Sequence, residues 1–332
     1  MGWMVALRGA VTYLREGSVM RNKIAATMLL GAFGVLVLGS GAAYTQEHEV
    51  GSETEAFTPG EAPGEYRVET EVLHGVLGEE GISPGLHPLV YAPDDTLLTG
   101  GPYGIANHYR MFTTNHRYDD MHALESDTTL EDPDTLRVHW PSAEDRPFAL
   151  TGIYRWVAPG TFDLETIVEA EEELPDFEVF LASYLSSAFP ASAVYAQTGQ
   201  EETGFITAEQ EEGVWQVFPR DGEALAIVQD GRWEIPPSPV DWAVRPDFAE
   251  ALIYRRAEDS DLTVAMMGQP EDCFALFSPE RGEGHYSMYL SLFGRTIEAG
   301  ETASTTVRVI VDALDEDALL ERYQDFLDEH SD

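Results

Sequence analysis

The chain has 332 residues, 43% of them hydrophobic, which is enough to bury a sizeable core in one large domain or two small ones. Its 60 acidic residues against 19 basic ones give a formal charge of −41. Proteins bind nucleic acids and anionic lipid surfaces through basic groups that replace counterions, so this composition excludes nucleic acid as a partner.

An almost wholly apolar segment runs from residue 24 to 44, directly after Arg21 and Lys23. A basic start, an apolar middle and small residues at the exit are typical of a secretory signal peptide. The segment is also long enough to span a bilayer, so an uncleaved anchor stays open as the alternative. We therefore predict that residues 1–45 are a leader. The protein is expected to be exported, periplasmic or extracellular, and to contact a membrane only through this segment if it is not cleaved.

Residues 46–65 are acidic, rich in Gly, Pro, Ser and Thr, and show no periodic apolar pattern. Such a composition predicts a flexible tether. Ordered structure is expected from Tyr66, where apolar residues begin to alternate with period two, as in a half-buried strand.

Short strand-like runs between turn signals then continue to residue 312. They include Leu136–Trp140, Phe148–Val157, Thr161–Ala170, Phe177–Leu185, Gly204–Ala208, Ala224–Val228, Leu252–Arg256, Leu262–Met267, Cys273–Ser278, Tyr286–Phe293 and Thr302–Val311. No repeat of fixed period occurs, which excludes propellers and solenoids. The pattern predicts an all-β domain over residues 66–312, built from antiparallel sheets packed face to face.

A helix is predicted within residues 313–332, where Asp315 can cap its start and an apolar stripe can pack on the domain. Cys273 is the single cysteine, so an intramolecular disulfide is impossible. The adjacent Asp272 would raise the pKa of a thiol and no basic activator is apparent, which indicates a small buried hydrophobic residue rather than a nucleophile.

Four segments resemble an uncharacterised family of exported bacterial proteins that is similar to the galactose mutarotase-like (aldose 1-epimerase-like) β-supersandwich. These segments are Gly104-Ile-Ala-Asn-His-Tyr-Arg, Phe177-Glu-Val-Phe-Leu-Ala-Ser-Tyr, Trp215-Gln-Val-Phe-Pro-Arg-Asp-Gly with Asp230-Gly-Arg-Trp, and the stretch from Glu271 to Arg295. The resemblance implies two large twisted antiparallel sheets, with a sugar bound on the concave face of one. Mutarotation itself also needs a histidine acid and a carboxylate base. The strand at the position of the acid, Phe177–Leu185, contains no histidine, and the strand at the position of the base, Cys273–Ser278, contains no carboxylate. The resemblance therefore does not extend to that reaction.

His108 and Arg110 are separated by one residue, so in a regular strand both side chains would face the same side. On a sugar-binding face they could bind hydroxyls or a carboxylate; alternatively, neighbouring acids satisfy them. The spacing of His108, His116 and His122 matches no compact ligand set, so we expect neither a metal nor a cofactor.

Two Asp-Gly turns place Arg220, Asp230 and Arg232 beside Trp215 and Trp233. Sugar sites combine aromatic platforms with fixed planar hydrogen-bonding groups, which makes these residues candidate ligand contacts. The alternative is that the aspartates bond their own backbone and the tryptophans fill the core.

Asp272, Glu283 and His285 could together form an acid–base group at the start of the strand Tyr286–Phe293. One face of that strand is mixed and carries Tyr289, as a ligand-facing surface would. A half-exposed outer face would look the same, so this alternative stays open.

These patterns together predict an exported carbohydrate-binding or carbohydrate-processing β-sandwich whose reaction is unassigned. Proton transfer, if any, would use His108 or His285 with Asp272 or Glu283, while the arginines orient the sugar. The alternative is a structural or interaction module of the cell envelope without a small-molecule site.

Overall fold

The computed structural model describes residues 56–114, 116–118, 120–280 and 284–331. The predicted leader and the first ten residues of the predicted tether lie outside the described residues. Strands β1 to β21 are Phe57–Pro59, Tyr66–Glu69, Leu73–Glu79, Ile82–Tyr91, Thr96–Leu97, Asn107–Thr113, His116–Arg117, Asp127–Asp132, Thr135–Trp140, Phe148–Ala158, Thr161–Ala170, Leu174–Leu185, Ala191–Gln197, Thr203–Thr207, Trp215–Pro219, Ala243–Val244, Phe248–Arg256, Leu262–Gly268, Cys273–Pro279, Tyr286–Ile297 and Thr302–Ala313.

Helices are few beside the strands. Helix α1 is Gly222–Val228 and helix α2 is Glu316–Glu329, and three 3-10 helices span Met121–Ala123, Gln210–Glu212 and Arg232–Glu234. No helix in the described part of the chain is long and apolar enough to cross a bilayer.

The strands form three sheets. The larger main sheet has nine strands in the order β14-β13-β17-β18-β21-β11-β10-β9-β8, and the smaller has seven in the order β16-β15-β19-β20-β12-β6-β7. A five-stranded meander, β1 to β5, forms the third sheet. The pairings between described strands are antiparallel except for the short parallel pair β15 and β16. An all-β chain with two large antiparallel sheets and a short C-terminal helix is therefore confirmed.

The main core lies between the nine-stranded and seven-stranded sheets. On β12, Val179 and Leu181 belong to this core, whereas Phe180 and Ala182 belong to a second cluster on the outer face of the seven-stranded sheet. Both faces of the central strands are thus buried, which explains why their sequences are continuous apolar runs rather than alternating ones.

Each main sheet carries one helix on its outer face. Helix α1 adds Ala224 and Val228 to the cluster on the seven-stranded sheet. Helix α2 adds Leu319, Tyr323 and Phe326 to a cluster on the nine-stranded sheet. The Asp315 side chain accepts a hydrogen bond of 2.9 Å from the Ala318 amide, so it caps α2 as its sequence suggests.

Two predictions about local structure are wrong. The tether was expected to extend to residue 65, but Phe57–Pro59 pairs with β2, and the Phe57 side chain is buried against the main core. Ala224–Val228 was predicted as a strand but lies in α1, because Asp221 accepts hydrogen bonds from the Glu223 and Ala224 amides and starts a helix. A short apolar run fits either element, and the cap decides between them.

Candidate functional site

A cavity of about 290 Å³ lies on the outer face of the seven-stranded sheet, on the side away from the main core. Its volume is at the small end of ligand pockets, which span about 300–1,000 Å³. Aromatic side chains dominate its wall. The lining residues are Tyr109, Arg110, Phe180, Tyr184, Trp215, Trp233, Ser238, Pro239, Val240, Trp242, His285 and Tyr289.

Three tryptophans from different elements form one side of the cavity. Trp215 comes from β15, Trp233 from the 3-10 helix after α1, and Trp242 from the segment before β16. The Trp233 and Trp242 rings meet edge to face with centroids 5.3 Å apart, and the Trp215 and Trp242 rings do so at 5.7 Å. Edge-to-face packing fixes the orientation of these rings, so the wall is preformed.

A β-bulge in β6 brings Tyr109 and Arg110 to the cavity together. Arg110 pairs with Phe180 and His108 pairs with Leu181, so Tyr109 is the extra residue between two successive partners on β12. In a bulge the alternation of side chains is interrupted. Tyr109 and Arg110 therefore both line the cavity, although they are neighbours in sequence.

The same bulge directs His108 to the opposite face, and its predicted position beside Arg110 is wrong. The His108 side chain is fully buried between the two main sheets, where its Nε2 lies 3.0 Å from Thr166 Oγ1. Burial lowers its pKa to about 3, because the charged imidazolium cannot be solvated there. His108 is thus a neutral core residue rather than a catalytic group in the cavity.

The predicted ligand residues Asp230 and Arg232 belong instead to a buried ion-pair network beneath the cavity wall. Arg232 donates to Glu178 Oε2 at 2.8 Å, to Asp230 Oδ2 at 3.0 Å and to the Asp176 carbonyl at 2.9 Å. Glu178 also accepts from Ser291. All three nitrogens of this guanidinium donate to protein acceptors, so we assign Arg232 a structural role, which is to hold the 3-10 helix that carries Trp233.

Arg220 and Asp272, also predicted as site residues, do not line this cavity. Arg220 pairs with Asp221 at 3.0 Å and donates to the Glu271 carbonyl at 2.9 Å. Burial raises the pKa of Asp272, whose backbone carbonyl accepts from the Phe293 amide. These contacts hold the turn before β19, through Arg220 on one side and β20 on the other. Glu283 lies outside the described residues.

His285 and Tyr289 do reach the cavity. His285 is exposed, with its ring 5.1 Å from that of Trp215. The Tyr289 hydroxyl accepts from Ser287 Oγ at 2.6 Å and donates to the Tyr184 hydroxyl at 3.5 Å. Burial raises the pKa of both tyrosines, so their hydroxyls stay protonated at neutral pH and act as hydrogen-bonding groups.

The described residues that line the cavity include one histidine, His285, and no carboxylate. No cluster of three or more metal-binding side chains occurs among the described residues. The arrangement can hold an apolar ring face against the indoles and offer hydrogen bonds from its edge. His285 is the one imidazole that the described lining residues offer for proton transfer.

Four aromatic cavity residues were not identified from the sequence: Tyr109, Phe180, Tyr184 and Trp242. Tyr109 was missed because a bulge leaves no mark in a strand pattern. Phe180 and Tyr184 share the outer face of β12 by period-two spacing, and this spacing is the signal that could have found them. Trp242 follows a proline-rich loop whose path no local pattern fixes.

No family model matches the chain, and no curated protein matches it. Among solved structures the chain is similar to a candidate aldose 1-epimerase from Escherichia coli K12, with a TM-score of 0.42 and 12% identity over 75% of this chain and 98% of that one. It is also similar to a candidate aldose 1-epimerase from Klebsiella pneumoniae, with a TM-score of 0.39 and 9% identity over 81% of this chain and 84% of that one.

A third similar structure is an α-N-acetylgalactosaminidase from Bifidobacterium bifidum in complex with GalNAc, with a TM-score of 0.46 and 12% identity. The match covers 80% of this chain but only 39% of that one. Structures of candidate aldose 1-epimerases, the class that the sequence segments resemble, are thus among those to which this chain is similar.

Proposed function

We propose that this protein is an exported carbohydrate-binding protein that holds a sugar in the aromatic cavity on its seven-stranded sheet. The observation that carries the proposal is the preformed wall of Trp215, Trp233 and Trp242. The C–H faces of a sugar ring are apolar and its hydroxyls are polar. A site that joins aromatic surfaces to a few fixed polar groups is complementary to both.

Binding is better supported than catalysis. Epimerisation or glycoside hydrolysis needs an acid and a base on the two sides of the reacting sugar, and two carboxylates in most glycosidases. The described lining residues supply only His285 for proton transfer. If a reaction occurs, His285 is the residue that we expect to move a proton in it.

The main test is a glycan array probed with the purified domain, followed by titration of each bound sugar with intrinsic tryptophan fluorescence as the readout. Trp242→Ala removes part of the cavity wall from a half-buried position. We expect it to weaken binding by about two- to twelvefold, since a well-placed aromatic contact contributes about 0.5–1.5 kcal/mol.

The matched control is Tyr195→Ala, which removes a half-buried aromatic ring from the nine-stranded sheet, outside the cavity. It should leave the affinity unchanged. If no glycan binds, or if Trp242→Ala and His285→Ala bind as tightly as wild type, the sugar-site proposal is wrong. The envelope interaction module would then be the better hypothesis.

Export has its own test, because it rests on the apolar segment 24–44 and the basic residues before it. The full chain, expressed with a C-terminal tag in a bacterial host, should be found outside the cytoplasm after fractionation. The intact mass of the mature protein distinguishes a cleaved signal from an anchor. A full-length product in the cytoplasmic fraction would contradict export.

A further inference from the structure

Arg110 differs from the other buried arginines of this protein. Four arginines in the described part of the chain are less than one-tenth exposed. Arg232 pairs with two carboxylates, and Arg308 pairs with Asp163 and Glu329. Arg255 donates to four backbone carbonyls, at 2.7 to 3.2 Å.

Arg110, by contrast, is only 6% exposed but has a single hydrogen bond to the described residues, a long one of 3.4 Å from Nη1 to the Ser238 carbonyl. Its Nε is buried and has no partner among them. No carboxylate among the described residues lies within ion-pair distance of it. Leaving a buried guanidinium unpaired is costly, and it is unexpected in a chain with 60 acidic residues.

The surroundings of Arg110 hold the guanidinium in place without satisfying its donors. Its Cζ lies 4.9 Å from the centroid of the Tyr109 ring and 5.7 Å from that of Trp233. Ring faces attract the positive charge but leave the planar edge of the fork free for hydrogen bonds. The guanidinium is therefore oriented for an acceptor that comes from outside the protein.

Two tryptophans of the cavity wall, Trp233 and Trp242, also have buried indole N–H groups without a hydrogen-bond partner among the described residues. Arg110 is the one arginine or lysine among the described residues that line the cavity. A negatively charged occupant would therefore meet the guanidinium of Arg110.

On the basis of the proposed function, we propose that the sugar bound in this cavity is a uronic acid, whose carboxylate accepts hydrogen bonds from the Arg110 guanidinium. A carboxylate matches the planar fork of arginine and can accept two parallel bonds from it. The formal charge of −41 repels anions from the surface in general, so an acidic sugar needs a local cation such as this one.

The test measures the affinity of the whole domain for methyl glycosides of glucuronic and galacturonic acid, for the neutral glucosides and galactosides, and for their 6-sulfates. In wild type the uronic acids should bind at least about tenfold more tightly than the neutral sugars, because a hydrogen bond to a charged group contributes about 1.5–3 kcal/mol. Arg110→Gln should remove this preference, so that acidic and neutral sugars bind the variant with about equal affinity. Arg220→Gln is the matched control, since it removes one positive charge outside the cavity, and it should change nothing.

The outcomes separate this inference from the proposed function. Equal affinity for acidic and neutral sugars overturns the inference and leaves carbohydrate binding intact, whereas no binding of any sugar overturns both. A preference for the 6-sulfates that Arg110→Gln removes overturns the assignment of the carboxylate. Should Arg110→Gln fail to fold, Arg110→Lys decides: it keeps the charge but loses the fork, and an unchanged preference for uronic acids in it overturns the inference.

Discussion

Removing the Arg232 guanidinium should destabilise the domain strongly, because Arg232 neutralises a fully buried carboxylate. The side chains of Arg232 and Glu178 are both 0% exposed, and their ion pair measures 2.8 Å. Deleting one partner of a buried ion pair costs about 3–5 kcal/mol. We therefore expect Arg232→Met to lower the free energy of unfolding by about this amount, as measured by urea denaturation at pH 7.

The control is Arg295→Met, which breaks the pair with Glu301 at a site where the Arg295 side chain is 44% exposed. Exposed pairs contribute at most about 1 kcal/mol. The double variant Arg232→Met with Glu178→Gln should lose less than the sum of its two single variants, since the charge left unpaired by the first change is absent. If Arg232→Met costs no more than Arg295→Met, the interpretation of this network as structural is wrong.

The pH dependence of the same variant gives a second readout. Burial raises the pKa of Glu178 in the folded protein, and Arg232 lowers it. Without Arg232 the pKa of Glu178 rises further, so the folded state binds this proton more tightly than the unfolded state does. Below its unfolded pKa the Glu178 carboxyl is protonated in both states and does not destabilise the fold. As pH rises from the unfolded pKa through the folded pKa, the free energy of unfolding falls. Arg232→Met should therefore lose more stability relative to wild type at pH 8 than at pH 5.

Three further predictions concern single positions. A Cβ at Gly152 would lie 2.7 Å from His108 Cε1, so Gly152→Ala should lower the free energy of unfolding in urea by about 1–3 kcal/mol. Gly222→Ala is the control and should be close to neutral, because a Cβ there meets nothing within 4 Å. Asp221→Ala removes the cap of α1 and should lower the free energy of unfolding by about 0.5–2 kcal/mol at pH 7, measured in urea. Backbone hydrogen bonds lower the pKa of Asp221 in the folded protein. The stability that the cap contributes is therefore present above the unfolded pKa of Asp221 and should vanish as pH falls through its folded pKa. Burial raises the pKa of Cys273 to about 12, so a thiol reagent at pH 8 should label it only in urea, and rapid labelling of the folded protein would show that this site opens.

The sequence predicted the strands best where apolar and polar residues alternate. Thr161–Ala170 was predicted with the bounds that the structure has, because Phe162, Leu164 and Val168 share the face that packs in the main core. On β20 the predicted alternation places Met288 and Leu290 in the main core and Tyr289 on the cavity side. Period-two patterns carry this information directly.

The site was harder to predict, because long-range contacts assemble it. Trp215, Trp233 and Trp242 meet only after α1 and the loop that follows it have folded over the outer face of the sheet. Arg232 was expected to contact a ligand because nothing in the sequence shows that Glu178, 54 residues earlier, lies within hydrogen-bond distance. A buried charge requires a partner, but the sequence alone does not identify that partner.

The bulge at Tyr109 links the main failure of prediction to the formation of the site. In a regular strand, a core histidine at position 108 would require Arg110 to face the core as well, and Tyr109 alone would reach the cavity. One extra residue against β12 lets His108 stay with Leu181 in the main core while Tyr109 and Arg110 both face outwards. The ring and the guanidinium are then adjacent in sequence and in space, which places the cation against its own neighbouring aromatic face. Bulges are common beside functional sites because they redirect single side chains without disturbing the rest of the sheet, and here the redirected side chain is the unpaired arginine.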